Sequence, residues 1–133
     1  MVYCLKLYFT ILAAFLVIDI VWLGLVARSF YKKHLDFLMA PSPNWIAALV
    51  FYLIYIAGIL FLVVLPGLKE ESLRATLLRA ALLGLVAYGT YDLTNLAVVK
   101  DWPLVVTVVD LVWGTVLTAT LGWVGFIAGK WLS

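Results

Sequence analysis

Histidine and cysteine are nearly missing from this chain, which holds one of each, His34 and Cys4, in 133 residues. A lone cysteine excludes a disulfide framework or a CxxC redox pair within a monomer. A lone histidine excludes a multi-histidine metal or haem site within one chain. Neither a Ser–His nor a Cys–His arrangement is present to support hydrolysis or oxidation. No metal and no other cofactor is expected. Charge is scarce too, at 12% of residues with a net charge of +2. So small and dispersed a charge does not fit nucleic acid as a partner. What fills the chain instead is apolar: 67% of residues are hydrophobic, and the mean hydropathy is +1.17. Soluble domains run at about 45–50% apolar and about 25% charged. The composition is that of an integral membrane protein, expected to form a single transmembrane domain over residues 1–133.

A spanning helix needs about 20 mostly apolar residues. Four segments qualify, at about 7–27, 45–65, 77–99 and 103–128. Backbone groups in lipid must be bonded within the segment, so the spans are expected to be α-helices, giving an all-α four-helix bundle with both termini on one side. The N-terminal run is longer than the apolar core of a signal peptide and contains Asp19, so it reads as a retained first helix. Pro43 and Pro66 are expected just outside spans, and Pro103 at the start of the last one. The third loop is only Lys100-Asp101-Trp102, so spans three and four should form a tight antiparallel hairpin. Trp45, Trp102 and Trp131 fall at span ends, where interfacial anchors are expected. Lys and Arg divide five to four between the two sides, in favour of cytoplasmic termini. The Arg28, Lys32, Lys33 cluster, with His34 beside it, reads as a contact for lipid headgroups.

Against this background three aspartates stand inside spans: Asp19, Asp92 and Asp110. An acid in hydrocarbon is costly, about 2.5–3.5 kcal/mol at mid-span on insertion scales, and marks a functional site by default. Asp19 lies nine residues before Arg28, Asp92 eight before Lys100, and Asp110 seven after Pro103. At 1.5 Å rise per residue, all three should sit roughly 10–14 Å below the face of the first and third loops. The common depth predicts one shared layer. Helical spacing supplies company for each acid. Phe15, Asp19, Trp22 and Val26 align on the first span, and Tyr88, Asp92 and Asn95 on the third, flanked by Tyr91 and Thr94. On the fourth span Thr107, Asp110, Gly114 and Thr118 align, with Trp113 beside Asp110. Two of the acids open an echoed string, Asp19-Ile20-Val21-Trp22 and Asp110-Leu111-Val112-Trp113. The second span has no charge and reads as a packing or lipid-facing wall, with Tyr52 and Tyr55 as its only polar handles. Gly84, Gly89, Gly114, Gly122 and Gly125 should permit close helix contacts.

The candidate ligand-binding residues are therefore Asp19, Trp22, Tyr88, Asp92, Asn95, Asp110 and Trp113. At least one of the three acids is expected to exchange a proton or accept a cation at neutral pH. The competing structural role is simpler: each acid bonds a Tyr, Trp, Asn or Thr of a neighbouring helix and fixes the packing.

The strings Tyr91-Asp92-Leu93-Thr94-Asn95, Asp101-Trp102-Pro103 and Asp110-Leu111-Val112-Trp113-Gly114 resemble a bacterial family of small four-span predicted inner-membrane proteins of unknown function. Leu23-Gly24, Phe30-Tyr31, Pro43-Asn44-Trp45 and Phe51-Tyr52 look similar too, so the likeness runs through nearly the whole chain. Asp36 departs from the pattern, where Gly is expected after Leu35. The resemblance implies a multi-pass protein of the bacterial inner membrane, and implies no activity.

Three functions fit these residues. The first is a binding protein or transporter for a small cationic or proton-coupled ligand, since carboxylates beside aromatic faces suit a cation. Four spans make a thin wall for a pathway, so a homo-oligomer is expected alongside the surrounding membrane lipids. The second is a membrane-embedded enzyme acting on a lipid or isoprenoid, with paired carboxyls as acid and base. The third is a structural subunit of a larger membrane complex.

Overall fold

A computed structural model describes all 133 residues apart from the side chain of Val26, so that member of the expected first-span stripe lies outside the described residues. Among the described residues every regular element is a helix. Four are long and apolar enough to cross a membrane: α1 (Val2–Leu25), α3 (Trp45–Lys69), α4 (Leu73–Val98) and α5 (Leu104–Leu132). The segment between the first two spans is not a plain loop. It folds as a short helix, α2 (Arg28–Leu35), followed by one turn of 3₁₀-helix at Asp36–Leu38. The reason is amphipathic spacing. Arg28, Lys32 and Lys33 point outward, while Phe30, Tyr31, His34 and Leu35 are half-buried.

Capping fixes where the helices begin. The Asn44 side chain accepts the Ala47 N–H at 3.1 Å to start α3, and the Ser72 side chain accepts the Ala75 N–H at 3.0 Å to start α4. Each satisfies a backbone donor that the first helical turn leaves open. Pro103 caps α5, and Asp101, at φ 61°, makes the left-handed residue of the tight turn between α4 and α5. Short polar residues such as Asp tolerate that conformation better than most.

Pro66 departs from expectation, because it lies inside α3 rather than beyond it. A proline there removes one backbone donor and its ring presses on the carbonyl four residues earlier. The helix accommodates this with a π-helical turn at Leu60–Val64, where the Leu65 N–H bonds the Leu60 carbonyl five residues back. The widened turn sits just ahead of the ring. A second π turn, Trp22–Val26, ends α1, with the Ala27 N–H bonding the Trp22 carbonyl at 2.7 Å.

The bundle has two dissimilar halves. Toward the chain termini it is sealed. Leu7, Ile11, Ile56, Ile59, Val63, Val64, Leu117 and Leu121 are fully buried in one apolar cluster. Glycines let the helices touch there: a Cβ on Gly122 would stand 2.8 Å from the Ala80 methyl, and one on Gly125 would collide with Val64. Gly84 and Gly114 do the same at mid-membrane, Gly84 against the Gly114 carbonyl and Gly114 beneath the Tyr88 ring. Gly89 is looser than expected, its nearest neighbour a Leu111 methyl at 3.4 Å. The Tyr3 hydroxyl donates to the Gly129 carbonyl at 2.6 Å and ties α1 to the end of α5. Large apolar side chains such as Leu49, Ile54, Leu62, Leu82 and Val112 face outward, as a lipid-facing surface requires. The opposite half carries the acids.

Candidate functional site

Asp19 on α1 and Asp110 on α5 line one cleft of about 410 Å³. Its walls are aromatic: Phe15 and Trp22 from α1, Tyr31 from α2, Phe51 and Tyr52 from α3, Tyr88 and Tyr91 from α4, and Trp113 from α5. Five of the seven residues picked out in the sequence, Asp19, Trp22, Tyr88, Asp110 and Trp113, meet there. Asp92 and Asn95 do not line it. The tight hairpin accounts for this. The Tyr88/Asp92/Asn95 stripe faces α5 rather than open space, with Tyr88 packed over Gly114 and Asp92 wholly buried. Asn95 stands a turn nearer the loop and is half-buried.

The echoed strings acquire a meaning in three dimensions. Trp22 and Trp113 stack face to face, with ring centroids 4.0 Å apart and planes within 8°. An aromatic residue three positions after an acid shares its side of the helix. The repeated spacing therefore yields a paired indole platform with an acid from each helix on the same cleft. Phe15 and Tyr52 meet edge to face at 5.0 Å, and Phe51 stacks on Tyr55 at 5.4 Å, which steadies the opposite wall. Such ring pairs contribute about 0.5–1.5 kcal/mol each beyond their buried area.

The three acids differ in how they are held. Tyr31 donates to Asp110 from outside the span, in a short hydrogen bond. Burial first, and then that bond, push the Tyr31 hydroxyl well above the usual tyrosine range, so it remains a donor. Asp19 has only a long contact, 3.5 Å, from the Tyr52 hydroxyl. Asp92 is 0% exposed, and neither of its oxygens meets a donor among the described residues. Thr107, an expected partner for an acid, donates instead to the Asp92 backbone carbonyl at 3.3 Å and receives the Trp102 indole N–H at 3.1 Å. The Trp22 indole N–H is also buried with no acceptor among the described residues.

No cation answers these acids. The single ion pair among the described residues is Arg79–Glu70 at 2.7 Å, between α4 and the turn after α3. Arg28 and Lys100 are exposed. The cleft thus holds two acids, aromatic faces and no positive charge, an arrangement complementary to a cation that brings its own charge.

Three features run against the sequence reading. The second span is no passive wall, since Phe51 and Tyr52 line the cleft and Tyr52 reaches Asp19. Its uniform hydrophobicity hid this, because no polar stripe marks an inward face. Tyr31 lies in the segment read as a headgroup contact, yet it reaches Asp110. The only signal for it was the Phe30-Tyr31 pair inside a basic stretch. Trp102 is 9% exposed, not an interfacial anchor, and covers the hairpin turn edge to face with Tyr91. Trp45 and Trp131 are exposed at helix ends as expected.

No curated protein and no solved structure matches the chain. Residues 4–127 match a family described as predicted membrane protein (DUF2177), whose function is unknown. The match covers nearly all of the cleft-bearing fold, and the chain is a multi-pass membrane protein belonging to that family.

Proposed function

We propose that this chain, in the inner membrane of a bacterium, binds a small organic cation in the cleft between Asp19 and Asp110 and carries it across the bilayer. One observation carries the reading: two acids without a cationic partner share a cleft of about 410 Å³ with the stacked Trp22 and Trp113. Ligand sites commonly measure about 300–1,000 Å³. Removing an ammonium ion from water is costly, and both a carboxylate and an aromatic face offset that cost; a desolvated cation–π contact contributes about 2 kcal/mol or more. Asp92, wholly buried one turn along α4 from the cleft-lining Tyr88 and without a donor among the described residues, supplies a place for the proton that leaves or returns as the cation exchanges.

The experiment is a titration of the purified protein, in lipid nanodiscs, with tetramethylammonium, read by the change in tryptophan emission. Saturable quenching is expected, weakened about tenfold or more by Asp19→Asn or Asp110→Asn, which corresponds to about 1.4 kcal/mol. Proteoliposomes should accumulate radiolabelled tetramethylammonium, and the same substitutions should stop it. Quenching that both variants retain unchanged would contradict the proposal.

A further inference from the structure

We infer that the cation this site takes is amphiphilic, with its charged head in the cleft and an apolar chain in a groove on the membrane side of Tyr88. This rests on the cation-binding reading above and names the substrate class. A second cavity of about 400 Å³ is lined by Phe51, Ala87, Tyr88 and Tyr91. Three of these four residues, Phe51, Tyr88 and Tyr91, also line the acidic cleft. The two spaces are therefore neighbours across shared aromatic side chains. Ala87, on α4, lines the groove and not the cleft, and its small side chain leaves the groove open.

The chemistry changes sharply from one space to the other. The cleft offers Asp19 and Asp110, whereas no charged residue lines the groove. Phe51 and Tyr91 are exposed on the outer surface of the helices, 46% and 57%, at the level where lipid surrounds the spans. A ligand entering between α3 and α4 would come from the bilayer, not from water. A hydrophilic cation gains nothing from such a route. A cation with an alkyl chain is already concentrated in the membrane with its head near the polar layer. The groove keeps its chain in an apolar setting while the head moves inward to the acids. Charge complementarity places the head, and the aromatic side chains that the two cavities share place the chain.

The test uses the whole protein in nanodiscs and a series of trimethylammonium probes bearing methyl, butyl, hexyl and octyl chains. Binding is read by Trp emission, with protein-free nanodiscs subtracted. Each methylene buried in the groove should tighten binding by up to about fourfold, the equivalent of about 0.8 kcal/mol. Ala87→Phe fills the groove and should flatten that dependence while leaving the affinity for tetramethylammonium within twofold. Asp110→Asn should weaken every member of the series alike. An unchanged chain-length dependence in Ala87→Phe would assign the effect to membrane partitioning and overturn the groove proposal, with the cation site intact. Affinities independent of chain length in the wild type would overturn it as well. Indifference of tetramethylammonium itself to Asp110→Asn would instead overturn the cation site on which the groove proposal rests.

Discussion

The two halves of this bundle are built from the same four helices and obey different rules. Near the termini, glycines and aliphatic side chains bring the helices into contact, as at Gly122 against Ala80 and Gly125 against Val64. In the other half, rings hold the helices apart around acids, and the space between them stays open at about 410 Å³. Lipid tails are as apolar as leucine, so burial alone does not drive spanning helices together, and close packing has to supply the cohesion. The sealed half supplies it. That leaves the cleft half free to carry groups that do nothing for cohesion: an acid without a donor, an indole N–H without an acceptor, and a second acid held by one long contact. Polar groups left unsatisfied in a protein interior call for an explanation other than stability.

If the halves differ in this way, crowding a helix contact in the sealed half and neutralising the unpartnered acid of the other half should act in opposite directions. Gly122→Leu, in the sealed half, should have the largest effect. The new side chain meets the Ala80 methyl, which is fixed to its backbone and cannot swing aside, so stability should fall by about 3 kcal/mol. Unfolding in mixed micelles measures it, and a loss under about 1 kcal/mol would mean the helices are less tightly joined than described. Asp92→Asn should do the reverse. It replaces a buried carboxyl that lacks a donor with a neutral group of the same shape, and should raise stability by about 2 kcal/mol, within the cost of a mid-span acid. The same unfolding assay reads it, and a destabilised variant would show that Asp92 is a packing device after all. Tyr31→Phe should have the smallest effect. It removes the donor to Asp110 while keeping the ring, at about 1 kcal/mol for a hydrogen bond. Hydrogen exchange of α2 should quicken in that variant, and unchanged exchange would mean that the bond does not dock the segment.

The sealed half and the spans were legible in the sequence, because length, hydropathy and glycine spacing report directly on lipid crossing and helix contact. So was the meeting of Asp19 with Asp110, since their common depth and the echoed acid-to-tryptophan spacing follow from helix geometry alone. The rest depended on which neighbour each stripe faces, and periodicity does not carry that. Tyr88, Asp92 and Asn95 share a stripe, yet close packing with α5 buries Asp92, leaves Asn95 aside and lets only the Tyr88 ring reach the cleft. Tyr52 stood out only as a polar handle on a helix otherwise apolar on all sides, and nothing around it marked its reach to Asp19. Tyr31 belongs to a segment whose charges drew the reading toward lipid headgroups, while the fold turns its ring inward to Asp110. The widened turn at Trp22–Val26 leads directly into that segment, and no residue type there announces it.

The central claim is that a cation sits between Asp19 and Asp110 against the paired indoles. The most direct measurement is a crystal structure of the protein in lipid with a tetraalkylarsonium ion, whose arsenic marks its own position by anomalous scattering. The account predicts one strong arsenic peak inside the cleft, over the faces of Trp22 and Trp113 and beside the two carboxyls. A cleft without arsenic, with peaks only at the protein surface or with lipid chains between Asp19 and Asp110, would contradict it.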